Sequence, residues 1–289
     1  MEWLNAVLQG TLLGGLYALL AAGLSLMFGV MRIVNLAHGV LAVLAAYLGV
    51  ILTTEFDVPA FATLIIVVPV MFGVGWLIQM GLLNLSIIRG GLAPILVTFG
   101  LAVVITNLLQ EIFTADFRSI QAGEIATDSI QINDQISIGV FPLLTFFVGV
   151  AVIVALQVFL SRTRSGRAMR ASSDDKDAAL LMGIDNRRIY AMATAIAIAT
   201  VGLAGVFLGI RTQFSPTYGD VTLIFAFEAV IIGGLGSLWG TLLGGVVLGV
   251  AQAVGAQINP AYGVLFGHLV FLAILAFRPT GLLPKAVNA

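Results

Sequence analysis

Residues 138–160 read IGVFPLLTFFVGVAVIVALQVFL, residues 161–188 read SRTRSGRAMRASSDDKDAALLMGIDNRR, and residues 189–210 read IYAMATAIAIATVGLAGVFLGI. A helix crossing a bilayer needs about 20 mainly apolar residues, because each adds only 1.5 Å of rise through roughly 30 Å of hydrocarbon. Both outer runs meet that measure, and the stretch between them does not. It carries Arg162, Arg164, Arg167, Arg170, Lys176, Arg187 and Arg188, seven of the thirteen basic residues in the chain. Basic residues in short loops stay in the cytoplasm, so this loop fixes the orientation of everything around it.

Working outward, further apolar runs fall at about 3–30, 36–53, 58–80, 92–113, 220–236, 241–258 and 261–277. Together with 138–160 and 189–210 they make eight or nine hydrophobic segments of one all-α, polytopic membrane helix bundle. The first run exceeds one crossing and is read as an interfacial helix joined to a span. The runs 36–53 and 220–236 are short enough to be broken or re-entrant. The loop 114–137 holds Asp116, Glu124, Asp128 and Asp134 against Arg118 alone and is placed outside. Arg32, Arg89 and the tail with Arg278 and Lys285 then fall inside, while Arg211, which this count also puts outside, is a minor dissent.

Composition agrees. Of 289 residues, 60% are hydrophobic and 9% charged, with mean hydropathy +1.11, against a charged fraction of about 25% in soluble domains. A net charge of −1 offers no basic field for nucleic acid. Cysteine is absent, which removes disulfides and thiolate metal sites. No Lys or Arg precedes Arg32, and the run from Trp3 to Val30 is too long for an export signal. We therefore expect a retained helix at the N-terminus and a single transmembrane domain over 1–289.

Catalytic constellations do not emerge. The two histidines, His38 and His268, lack metal-ligand spacing. No lysine follows a glycine-rich stretch as a nucleotide-binding loop requires, so any ATP that drives this chain binds to another subunit. No cofactor is expected in the chain itself. The string Gly10-Thr11-Leu12-Leu13-Gly14-Gly15 recurs at 240–245, too short a match in so Leu- and Gly-rich a chain to establish a repeat.

Polar and glycine positions inside apolar sequence are the candidates for a translocation pathway. Gly233, Gly234, Gly236 and Ser237 break one apolar run from the next. They serve either close helix packing or an unwound backbone along the pathway, tolerated at membrane depth only where protein or water satisfies it. Glu228 is the one acid in the apolar stretch from Ile224 to Val230 and must face a partner or a wet cavity. Glu111, near a span end, is read as interfacial. Between the first two runs, Arg32 to Gly39 forms a polar elbow in which Asn35 and His38 either cap a turn or border the pathway.

The cytoplasmic loop has more order than a topogenic signal needs. Ser172-Ser173-Asp174-Asp175 resembles a capping box and predicts a helix of roughly ten residues ended by Gly183. Ala178, Leu181 and Met182 share one face by i, i+3, i+4 spacing, a ridge that packs back on the bundle or docks on a partner.

These residues resemble the permease subunits of branched-chain amino acid ABC importers, of the type labelled H. Gly15 to Leu24 with Asn35 to Gly39 is similar to the N-terminal signature of that family. Arg167 to Ala171 with Ala179 to Asp185 is similar to its cytoplasmic signature, and Glu228 to Gly245 to its glycine-rich one. Arg278 to Leu282 also fits, although Leu283-Pro284 departs from the family pattern. The resemblance implies a bacterial inner-membrane importer. Its implied partners are a second related permease, two cytoplasmic ATPases carrying ATP and Mg, and an extracytoplasmic substrate-binding protein. Ala178, Ala179, Leu180, Leu181, Met182, Gly183 and Asp185 would then form the element that couples to the ATPase. The competing reading is an ion-coupled secondary transporter or channel for urea, an amide or a similar solute, with Glu228 as its proton-linked carboxylate.

Overall fold

In lipid a backbone must satisfy its own hydrogen bonds, and for an apolar run the helix is the local way to do so. The computed structural model describes residues 2–133 and 136–283; Asp134 of the outer loop and Pro284 and Lys285 of the tail lie outside the described residues. The helices, in chain order, are α1 (Glu2–Met31), α2 (His38–Glu55), α3 (Leu64–Ile78), α4 (Asn84–Arg89), α5 (Ala93–Phe113) and α6 (Val140–Arg162). They continue as α7 (Arg164–Asp174), α8 (Lys176–Leu181), α9 (Asn186–Arg211), α10 (Gly219–Gly233), α11 (Leu238–Ile258) and α12 (Gly263–Phe277). A π-helical turn at Gln79–Leu83 joins α3 to α4 into one run. Nine helical stretches among the described residues are long and apolar enough to cross a membrane, which resolves eight-or-nine as nine. The first run is one uninterrupted helix of 30 residues. The outer loop adds a small antiparallel hairpin, β1 (Ser129–Asn133) with β2 (Ile136–Gly139), to an otherwise helical chain.

The centre of the bundle is α1 and α9, both almost wholly buried, whereas α5 and α12 are nearly bare. Glycine explains how α1 can be so enclosed. Gly10 and Gly14 face Gly249 and Gly245 of α11, so close that a Cβ at Gly10 would stand 2.6 Å from the Cα of Val250, and one at Gly245 2.6 Å from the oxygen of Gly14. Among their glycines, the two copies of the six-residue string meet only at Gly14 and Gly245; Gly15 faces Phe146 of α6, and Gly240 and Gly244 face Gly233 and Ala229 of α10. Small residues let backbones approach where lipid offers no hydrophobic drive for association.

The polar elbow is a non-helical segment that runs back into the bundle. At the end of α1, Arg32 takes a left-handed φ of 55°, and the chain doubles back along the helix it has just left. His38, the first residue of α2, meets the carbonyl of Leu20 through Nε2 at 2.8 Å. Leu20 precedes the end of α1 by eleven residues, about 16 Å at 1.5 Å each, so α2 begins deep within the bundle. There it meets the start of α10: Gly39 packs against Gly219 and Leu223, and Gly219 against Val40. With 15 residues, α10 covers only about 21 Å, and the turn Pro216–Tyr218 completes the passage. The two runs expected to be short or broken are the two whose N-termini meet here.

Candidate functional site

The loop 161–188 is built on successive caps. Thr163 accepts from the amide of Gly166 at 3.0 Å and starts α7. Asp175 accepts from the amides of Asp177 at 2.9 Å and Ala178 at 3.0 Å and starts α8. Those two amide bonds hold the Asp175 carboxyl below its ordinary range, that of Ala178 foremost. Gly183, at φ 81°, turns the chain out of α8. Asp185 then accepts from the amide of Arg187 at 3.1 Å to open α9.

The expected capping box is corrected by this geometry. Ser172 and Ser173 lie in the last turn of α7, the cap is Asp175, and the helix it opens has six residues rather than ten. The physical reason is that both serine hydroxyls are engaged elsewhere. Ser172 donates to Asn186 Oδ1 at 2.8 Å and Ser173 to the carbonyl of Gly29 at 2.7 Å. Asn186 in turn donates to the carbonyl of Lys176 at 2.7 Å. The loop is therefore bolted to the inner end of α1 and the start of α9.

What it presents is apolar. Ala179 is buried at 4% exposure and anchors α8, while Leu180, Leu181 and Met182 stand 62%, 88% and 83% exposed. Ala178 is exposed beside them. Exposed leucines on the membrane-crossing helices need no account in lipid, but these lie in the polar loop. The ridge of Ala178, Leu181 and Met182 does not pack back on this chain.

The intramembrane candidates divide. Asn35 and His38 are both 1% exposed; Asn35 Oδ1 accepts from the amide of Ala37 at 3.0 Å, a local turn at the elbow. Glu228 is 4% exposed and pairs through Oε1 with His268 Nδ1 at 2.5 Å. Gly233 lies against Gly240, and Gly234, at φ 109°, against Gly281 of the tail. Leu282 and Leu283 donate their amides to the carbonyls of Ile232 and Gly233 at 2.8 and 2.9 Å, so the tail satisfies the end of α10. Gly236, at φ 79°, faces Gly29 near the end of α1, and Ser237 caps α11 by accepting from the amide of Gly240 at 3.1 Å. The glycine turn thus sits at the inner end of the bundle, and the structure does not bring it together with Asn35, His38 or Glu228.

Sequence reasoning missed several buried partners. His268 answers Glu228 from 40 residues away. Tyr17 donates to Gln252 Oε1 at 2.5 Å across 235 residues. At the π-helical turn, Gln79 donates to Asn84 Oδ1 at 3.0 Å and accepts from Thr194 of α9 at 2.7 Å. Only the last had a readable signal, in two amides five apart within an apolar run.

The chain matches the family described as branched-chain amino acid transport system, permease component, over residues 6–275. It is 31% identical to the high-affinity branched-chain amino acid transport system permease protein BraD of Pseudomonas aeruginosa, covering 98% of this chain and 96% of that one. It is 28% identical to LivH of Escherichia coli K12 over 99% and 96% of the two chains. A shorter match, 32% identical over 46% of this chain and 32% of the other, is to LivM of the same organism, also a permease protein of that transport system. Among solved structures, PsaBC from Streptococcus pneumoniae in complex with Fab aligns with TM-score 0.50 over 97% of this chain and 93% of that one at 14% identity, a likeness of fold. Nine helices among the described residues long and apolar enough to cross a membrane, a glycine-packed centre and an ordered loop are thus joined to a full-length match, and the chain belongs to the branched-chain amino acid transport permease family, a family of transporter components and not of enzymes, as an integral, multi-pass protein of the inner membrane.

Proposed function

We propose that this chain is the translocating subunit of an ATP-driven importer for branched-chain or related amino acids. ATP and Mg are held by two cytoplasmic ATPase subunits, and an extracytoplasmic protein delivers the solute. A second, related permease completes the pathway; the partial match to LivM supports a partner of similar descent. The observation that carries the reading is the apolar tip Leu180-Leu181-Met182, held out from the membrane on a capped and bolted loop. An amphipathic helix presented in this way docks into a groove of a partner. Ala178 to Gly183 would fill that groove, while Asp185 fixes the angle at which α9 leaves the loop. ATP binding shifts the permease pair between facings only by contacting the two states differently, and this tip is where such contact acts.

The test is uptake of labelled leucine, isoleucine and urea by the complete complex in proteoliposomes. Uptake of the amino acids that requires ATP and is indifferent to ion gradients supports the importer. Uptake driven by a proton gradient without ATPase subunits, and abolished by Glu228→Gln, would establish the secondary transporter instead.

A further inference from the structure

Between the inner ends of α1, α6, α7 and α11 lies a cavity of about 290 Å³. Its floor is buried and mostly apolar: Leu26 and Val30 of α1, Met169 of α7 and Leu238 of α11. Set into that floor is Ser25, 0% exposed, whose hydroxyl has no hydrogen-bond partner. Its rim is exposed and polar, with Gln157, Ser161, Arg170 and the indole of Trp239. Arg170 spends one donor on the carbonyl of Ser161 at 3.3 Å and makes no ion pair among the described residues. Arg162, Arg164 and Arg167 stand on the same corner, all exposed. Arg167 donates to the carbonyl of Arg162 at 2.9 Å.

We infer that this cavity holds the head-group region of an anionic phospholipid of the inner leaflet. Each layer of the cavity matches a layer of that molecule. A phosphodiester belongs at the rim, where a guanidinium has donors to spare and four arginines within nine residues favour net negative charge. Acyl chains continue past Leu26 and Leu160 along the apolar wall. Trp239, at the mouth, has the amphipathic ring that settles at head-group level. The site joins the stalk of the loop, α7, to the turn that opens α11, so the occupant bridges the loop and the membrane core.

The experiment counts lipids retained by the purified chain, in whatever complex it purifies, after exchange from mixed phosphatidylglycerol and phosphatidylethanolamine into mild detergent, by native mass spectrometry. The wild type is expected to keep one phosphatidylglycerol in preference to phosphatidylethanolamine. Arg170→Gln should lower that retention about fivefold, as should Leu160→Trp, which fills the cavity without altering charge. Arg89→Gln, at the same membrane surface but away from the cavity, should leave it within twofold. Equal losses in the Arg170 and Arg89 variants would overturn the site in favour of a general basic field. Displacement of the lipid by millimolar glycerol 3-phosphate would overturn the lipid in favour of a soluble phosphate ligand. Retention unchanged by both cavity variants would overturn the assignment altogether.

Discussion

Leu181→Asp should disconnect the ATPases from the membrane bundle without unfolding it. Leu181 is 88% exposed and Met182 83%; burying such a side chain in a partner groove is worth about 1.5–3 kcal/mol. The substitution forfeits about 2 kcal/mol of that and sets a carboxylate against an apolar pocket, where even an uncharged polar group costs about 1–3 kcal/mol more. The total of at least about 3 kcal/mol weakens docking by roughly a hundredfold or more. The fold is spared because Ala179, 4% exposed, is the residue that holds α8 down. Leu181→Met, which conserves volume and apolarity, should retain near-normal docking. The assay is ATP hydrolysis stimulated by loaded binding protein, in a complex reconstituted with both ATPases, beside the melting temperature of the purified permease. Wild-type stimulation by the Leu181→Asp complex, at wild-type melting, would refute the assignment of α8 as the docking tip.

Other substitutions test the remaining layers. Gly14→Leu forces a side chain into the backbone of Val246 across α1 and α11; overpacking of this kind costs about 1–3 kcal/mol or more, to be read as a lower melting temperature in detergent, and an unshifted melt would show that the helices can separate. His268→Ala should destabilise by about 2–3 kcal/mol because it strands the buried Glu228 carboxylate, and Glu228→Leu combined with His268→Leu should recover most of that loss; a double variant as unstable as the sum of the single ones would contradict the pairing. Asp175→Ala should speed amide exchange at Asp177 and Ala178 severalfold by removing their acceptor. Because the folded carboxyl titrates below its ordinary value, this cap is intact above about pH 4 and is lost only as pH falls through the lower folded value. Exchange at those amides, corrected for intrinsic rates, should therefore show no added opening between pH 5 and 8.

Much of this architecture was legible because the bilayer imposes one length on every crossing, and hydropathy reports length well. The polar break at 161–188 was legible for the same reason: its arginines are read one by one, without knowledge of any contact. The positions that escaped are those decided by tertiary partners. Nothing in the sequence shows that Ser172 would turn to Asn186, so the cap three residues later went unrecognised. Nor could two lone ionisable residues be paired at a separation of 40, since packing alone brings α10 and α12 to the same depth. The repeated glycine string was visible, but its meaning was not. The two copies touch at Gly14 and Gly245 and otherwise pack against different helices, which only the antiparallel course of α1 and α11 reveals.

Backbones that touch along most of two helices leave no clearance for slippage. With α1 fixed to α11 through Gly10, Gly14, Gly245 and Gly249 and clasped by the α7 serine at its inner end, the middle of this protein behaves as an axle. A push delivered below cannot be absorbed there as a change of internal shape. On the proposed function it would swing the whole body as a lever against a second permease, and the gate would lie at the seam between the two.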